Sequence, residues 1–243
     1  MPVPRFFVSA SLTTGAPLAL PESAAHHAAR VLRLRVGDAV TLFNGEGGEY
    51  AAVLAQIDKH RVLVDVGSHN AVERESPLEV TLIQSISSGE RMDTTLQKAV
   101  ELGVRQVIPV MSERSVVRLQ GARADKRLAH WQQVVISACE QCGRNRVPEI
   151  RQLVPLTAFL SAPRPQALRW VLTPGAESKL RDLSRPEQPI ELLIGPEGGF
   201  TEVEVEKARA VGFLPLCLGP RVLRTETAAP ALLASVLALW GDF

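Results

Sequence analysis

The pattern of apolar and polar positions changes character once along the chain. From Arg5 to about Gly67 the apolar runs are short and broken by turns. Val40 to Phe43 reads as a strand. It is followed by Asn44-Gly45-Glu46-Gly47-Gly48, and Asn-Gly between apolar runs signals a hairpin turn. Tyr50 to Ile57 and Arg61 to Val66 read as further strands, and a short helix is predicted over Ser23 to Leu32 behind Pro21. This is the pattern of a small β-barrel. A polar, charged link from Gly67 to Pro77 follows.

From Leu78 the period becomes that of alternating strands and helices. Strands are predicted at Leu78 to Ile86, Val104 to Met111, Leu168 to Leu172, Ile190 to Ile194 and Leu214 to Leu218. Helical spacing runs from Arg91 to Leu102 and stops at Gly103. A long helix covers Ala124 to Cys142, closed by Gly143, and a short one is expected over Glu177 to Leu183. Thr201 and Glu204 form a capping box that opens a helix to Ala210. The last helix, Thr227 to Trp240, is almost wholly apolar, with Pro230 in its first turn. Its composition suits buried core and a dimer interface. Alternation of this kind defines an α/β region with a largely parallel sheet.

In such sheets ligands bind beyond the carboxyl ends of the strands. Three of these ends carry unusual loops: Leu172-Thr173-Pro174-Gly175-Ala176-Glu177, Gly195-Pro196-Glu197-Gly198-Gly199-Phe200, and the stretch from Gly219 to Thr227. Taken singly, each is compatible with an ordinary tight turn. Converging on one edge, they offer exposed main-chain groups that could read a flat polar ring such as adenine. None matches G-x-G-x-x-G or the P-loop pattern, which argues against a dinucleotide site and against a nucleoside triphosphate cradle.

Composition narrows the class. The 243 residues are 46% hydrophobic and 22% charged, as in a soluble globular protein, and no apolar run is long enough for a membrane span. The opening Met1-Pro2-Val3-Pro4-Arg5 lacks the apolar core of a secretory signal, so a cytoplasmic location is expected. Cys139, Cys142 and Cys217 do not make a zinc site, and adjacent His26 and His27 cannot share one helix face, so no metal is expected. The first two cysteines fit a buried helix face. Net charge is only +1, but of 27 basic residues just five are lysine. Arginine suits phosphate contacts, and a GC-rich genome would give the same bias.

The specific signal lies in motifs. LLIGPEGGFTEVEVEKA (Leu192 to Ala208) followed by LGPRVLRTETA (Leu218 to Ala228) resembles the signature of the SPOUT methyltransferases. Within them it most resembles the family that methylates uridine N3 of 16S ribosomal RNA. GERMDTTLQKAVELGV (Gly89 to Val104), SERSV (Ser112 to Val116), ACEQCGRNRVPEI (Ala138 to Ile150), RFFV (Arg5 to Val8) and HHAARVLRLRVGD (His26 to Asp38) agree, in order along nearly the whole chain.

The resemblance implies a PUA-like RNA-binding barrel over residues 1–72 and a SPOUT domain with a C-terminal trefoil knot over residues 73–243. It implies S-adenosyl-L-methionine (SAM) as cofactor, 16S RNA or the small ribosomal subunit as partner, and a homodimer. Unaided topology rules would have argued against a knot. Cofactor contacts are expected from Leu172, Thr173, Ile194, Gly195, Pro196, Glu197, Gly198, Leu218, Gly219, Leu223, Thr225 and Thr227. RNA contacts are expected from Arg5, Arg30, Arg33, Arg35, Arg91, Arg144 and Arg146, where a solvated face or helix-terminal cations are the plainer alternatives.

Uracil N3 carries a proton and is a poor nucleophile until that proton leaves. The chemistry therefore needs a base, or cations that stabilise the anion. Arg224 is assigned to anion stabilisation or loop orientation, Glu226 to the base or simply to a favourable acid at a helix start, and Asn145 to reading the uracil edge. A non-catalytic RNA-binding factor and a nucleotide-dependent enzyme on a doubly wound sheet are the rival readings.

Overall fold

The structure is a computed structural model that describes residues 3–58 and 61–243. Met1 and Pro2, part of the opening considered above, lie outside the described residues. The chain divides into two compact units. One holds residues 1–75 and 139–147, the other residues 76–138 and 148–243.

The first unit is a five-stranded sheet: β1 (Arg5–Phe7), β2 (Pro17–Ala19), then helix α1 (Glu22–His26), then β3 (Ala39–Phe43), β4 (Glu49–Ile57) and β5 (Val62–Asn70). The strand order is β1-β3-β4-β5-β2. Helix α1 begins at Glu22, one residue before the predicted Ser23, with Pro21 ahead of it as expected, and is continued by a π-helical turn from His27 to Val31. Alternate residues face inward, so Phe6, Val40, Leu42, Leu54, Val64 and Ala28 form one core. The polar link was expected from Gly67, yet β5 runs on to Asn70. Gly67 lies beside an irregularity in β4, and a Cβ there would come within 2.9 Å of the Ala51 carbonyl oxygen. Glycine is present because a neighbouring strand passes close, not because the strand ends.

The second unit is a seven-stranded, wholly parallel sheet with its helices. In chain order it contains β6 (Val80–Ser85), α2 (Arg91–Glu101), β7 (Gln106–Met111), α3 (Ala122–Cys142) up to Ala138, β8 (Glu149–Ile150), β9 (Val154–Pro155), α4 (Leu156–Ser161), β10 (Leu168–Leu172), β11 (Ile190–Ile194), α5 (Glu202–Ala210), β12 (Phe213–Leu216) and α6 (Thr225–Trp240). The strand order is β12-β10-β11-β6-β7-β8, with β9 also paired to β7.

Strand β11 is buried along its whole length, which is why it reads as an apolar run. Its one acid, Glu191, is neutralised by Arg169 at 2.7 Å. Helix α2 buries Met92, Thr95, Leu96, Ala99 and Val100, the stripe of an amphipathic helix. Thr201 and Glu204 form the predicted capping box at the start of α5.

Two expectations need correction. The helix expected over Glu177 to Leu183 is only a 3₁₀ turn at Leu180–Asp182. Lys179 instead pairs with Cys217 in a parallel bridge, and the Cys217 amide donates to the Ser178 carbonyl at 3.0 Å. The last helix starts two residues early, at Thr225, so Pro230 is its sixth residue and lies beyond the first turn. Proline has no N–H, so the Glu226 carbonyl loses its usual helical donor.

Candidate active site

Strands β12, β10 and β11 are neighbours, so the loops after Leu216, Leu172 and Ile194 leave the sheet side by side. They enclose a cavity of about 340 Å³. That is within the ~300–1,000 Å³ range of small-molecule sites. It is lined by apolar residues (Leu172, Ile194, Leu218, Leu223) together with the loop residues Gly195 to Phe200 and Cys217 to Gly219. Gly195 is needed for closeness. A Cβ there would sit 3.3 Å from Gly199 Cα, where the loop folds back on itself. A Cβ at Gly198 would press on Arg114, 3.2 Å away. Arg114 also donates to the Gly198 carbonyl at 3.1 Å.

Strand β12 is at the sheet edge, and α6, which follows it in the chain, starts with Thr225 bonded to Gln84 near the end of β6. The Thr225 hydroxyl donates to the Gly195 carbonyl at 2.7 Å and accepts from the Gln84 amide at 3.1 Å. These contacts tie the cofactor-loop candidate, the start of α6 and the centre of the sheet together. Below it, Ser85, Ser112 and Ser115 exchange hydroxyl hydrogen bonds at the ends of β6 and β7.

Beside the cavity lies a charged group. Arg91, the first residue of α2, donates to the Ser88 hydroxyl at 2.7 Å and to Glu197 at 3.1 Å, and its Nε lies 3.7 Å from Glu226. Glu197 also accepts from the Ser88 amide and hydroxyl at 2.8 and 2.7 Å. Burial raises the Glu197 pKa, but these hydrogen bonds and the Arg91 charge outweigh it and hold the carboxyl below its ordinary value. Arg224 caps α6 through its backbone, and its exposed side chain has no partner among the described residues.

Of the twelve residues predicted to contact a cofactor, eleven line this cavity: Leu172, Thr173, Ile194, Gly195, Pro196, Glu197, Gly198, Leu218, Gly219, Leu223 and Thr225. Thr227 does not. It lies in the first turn of α6, exposed, because the helix begins earlier than predicted. Sequence reasoning missed Arg114, Pro174, Gly199, Phe200, Val205, Cys217, Arg221, Val222 and Ala228 as lining residues. Phe200 and Arg221 stand inside the quoted motifs and were available to it. Arg114 also stands in a quoted motif, SERSV, but it reaches the cavity from the loop after β7, a tertiary approach that the motif alone does not reveal.

The residues expected to meet RNA divide into two kinds. Arg30, Arg33 and Arg35 are exposed on the segment between α1 and β3. Arg33 takes φ 55°, the left-handed region that side chains rarely adopt. Arg5, Arg144 and Asn145 are not presented to solvent. Arg5 pairs with Glu49, donates to the Asn145 side chain at 2.6 Å and stacks over Phe43. Asn145 is fully buried and donates to the Val72 carbonyl at 2.8 Å. Arg144, also buried, pairs with Glu75. These three hold the first unit together, and an uracil edge could not reach the Asn145 amide in this arrangement. Arg146 is half-exposed and pairs with Glu73 at 3.4 Å. Arg91 belongs to the cavity's charged group.

Among the described residues no cluster of three or more His, Cys, Asp or Glu side chains is placed to hold a metal ion, and no helix is long and apolar enough to cross a membrane.

The fold and cavity define an α/β protein with a small-molecule site among glycine-bearing loops at the carboxyl edge of its sheet. Residues 74–237 match the family described as RNA methyltransferase domain, and residues 20–67 match the RNA methyltransferase PUA domain. The chain belongs to this RNA methyltransferase family. Ribosomal RNA small subunit methyltransferase E from Neisseria gonorrhoeae, solved bound to S-adenosyl methionine, has a TM-score of 0.92 at 44% identity and covers 99% of each chain. A methyltransferase from Legionella pneumophila, solved with bound SAM, has a TM-score of 0.96 at 40% identity over the whole of both chains. Ribosomal RNA small subunit methyltransferase E of Buchnera aphidicola subsp. Schizaphis graminum is 33% identical, over 99% of this chain and 98% of its own.

Proposed function

We propose that the chain is a SAM-dependent methyltransferase that modifies N3 of a uridine in small-subunit ribosomal RNA. The observation that carries the reading is the meeting of three glycine-bearing loops around one cavity of nucleoside size. Relatives with SAM bound, and relatives named for small-subunit ribosomal RNA, support it. The donor set also fits. Apolar walls suit the faces of an adenine, and main-chain amides and carbonyls of Gly195 to Gly199 and Cys217 to Gly219 suit its polar edge and the ribose.

SAM supplies a methyl group on a positively charged sulfur. The chain's own residues supply binding and proton management. Thr225 holds the Gly195 loop against the sheet and so fixes the cavity's shape. Glu226, at the start of α6, is the assigned acceptor for the uracil N3 proton. Arg224, exposed beside it, is assigned to the negative charge that develops on the flanking carbonyl oxygens. Arg30, Arg33 and Arg35 of the first unit are assigned to backbone phosphates, which position RNA without reading its sequence.

Within the same reading, residues 1–72 serve RNA binding and residues 73–243 catalysis. A trefoil knot in the C-terminal part of the chain belongs to the same reading. A homodimer working in the cytoplasm on 16S RNA or the small subunit completes the proposal. The test is to incubate the protein with methyl-labelled SAM and small subunits lacking the modification. Label should enter 16S RNA at uridine N3; unlabelled RNA would refute the assignment.

A further inference from the structure

We propose that Arg91 is the positioning residue of this site, one guanidinium that sets the cofactor loop and Glu226 in a common register. The inference rests on reading the cavity as the methyl-donor site and Glu226 as the proton acceptor. Arg91 was expected to touch RNA; its surroundings assign it a different task.

Its partners come from three segments. Nη1 reaches the Ser88 hydroxyl before α2 and Glu197 in the cofactor loop, and Nε faces Glu226 on α6. The Glu197 oxygen that Arg91 meets is already shared by the Ser88 amide and hydroxyl. That carboxylate is therefore an anchor for the loop. Glu226 is arranged differently. Its Oε1 faces Arg91, while Oε2 is buried with no hydrogen-bond partner among the described residues. A buried acceptor with no donor is costly unless something brings one. An imide N–H such as uracil N3–H is a donor of the right kind. Arg91 thus orients the carboxylate by one oxygen and leaves the other without a donor.

Without the guanidinium, the Glu197 and Glu226 carboxylates would be left close together and repel each other. Glu226 and the loop would both move. Lysine cannot replace it. A single ammonium cannot satisfy Glu197 and Ser88 from one nitrogen and Glu226 from another, as the guanidinium fork does.

The experiment measures SAM affinity by calorimetry and kcat on unmodified small subunits for the wild type, R91Q, R91K, E197Q, E226Q and the double variants R91Q/E197Q and R91Q/E226Q. R91Q should weaken SAM binding and lower kcat, each by about three- to tenfold, the size expected for an ion pair whose arginine is partly exposed. E197Q should act mainly on SAM affinity, E226Q mainly on kcat. Each double variant should match its worse parent, because the two residues act through one shared interaction. R91K should not restore either quantity.

A wild-type kcat in R91Q, full rescue by R91K, or additive effects in the doubles would overturn the proposal. Circular dichroism melts accompany the kinetics. If R91Q fails to fold, the same cycles run with R91K decide between coupled and additive effects. A wild-type protein that binds SAM and transfers no methyl group to the RNA would instead remove the functional reading.

Discussion

Replacing Thr225 with valine tests how the cavity is held in shape. Valine keeps the volume and branching of threonine and removes only the hydroxyl. In the structure that hydroxyl, on a side chain 5% exposed, donates to the Gly195 carbonyl at 2.7 Å and accepts from Gln84 at 3.1 Å. Gln84 keeps a second acceptor, the Ser85 carbonyl at 2.9 Å. The Gly195 carbonyl loses its donor from α6. Gly195 is half-buried on the cavity wall, so the loss is that of one net hydrogen bond, about 0.5–1.5 kcal/mol. For a chain of this length that lowers the melting midpoint by roughly 2–4 °C per kcal/mol. Gly195 belongs to the cofactor loop, so part of this cost should appear in binding. A tenfold loss of SAM affinity would correspond to about 1.4 kcal/mol. Calorimetric titration and a thermal melt of T225V beside T225S are the assays. Serine retains the hydroxyl and should stay close to wild type in affinity. If T225V binds SAM as tightly as wild type, the Thr225 hydroxyl does not shape the cavity.

Other substitutions address neighbouring parts of the site. In Gly198→Val the new Cβ would press on Arg114 and disturb its bond to the Gly198 carbonyl, so SAM affinity should fall about tenfold or more, from the ~1–3 kcal/mol of a forced shift; titration checks this. Arg224→Ala should lower kcat more than SAM affinity, and equal losses would move Arg224 from chemistry to binding. Glu197 is held below its ordinary carboxyl pKa of 4.5, so its contribution is complete above that pH and is lost as the pH falls through the lower folded value. Acid titration followed by hydrogen exchange of the Gly195 to Phe200 loop should show loosening below about pH 4.5, and E197Q should abolish the dependence. Changing Arg33 and Arg35 to alanine should weaken RNA binding and reduce its salt slope by about one for each phosphate no longer neutralised, with SAM affinity untouched.

What the sequence made legible follows from the range of the interactions involved. The capping box of Thr201 and Glu204 and the stripe of α2 are local, and both appear where predicted. The three loops could be placed on one edge because strands ending in glycine-bearing turns imply it. Strands β8 and β9, two residues each, are too short to carry any period. Asn145 is misplaced by local reasoning because its partners, Arg5 and Val72, lie far away in sequence. The 3₁₀ turn at Leu180 escapes it too, because the Lys179 to Cys217 bridge is a tertiary contact that overrides local helical spacing. The reading of Cys139 as a buried helix residue agrees with its surroundings. It is fully buried, and burial pushes its thiol up to about 12, which leaves it unreactive.

Crystals grown with SAM put the main-chain cradle to the shortest test. The nucleoside should appear in the density between the turns that follow β10, β11 and β12, with its ring edge against main-chain amides or carbonyls and its sulfur on the side of Glu226. A well-ordered nucleoside bound anywhere else on the protein, with that cavity left empty, would overturn the assignment.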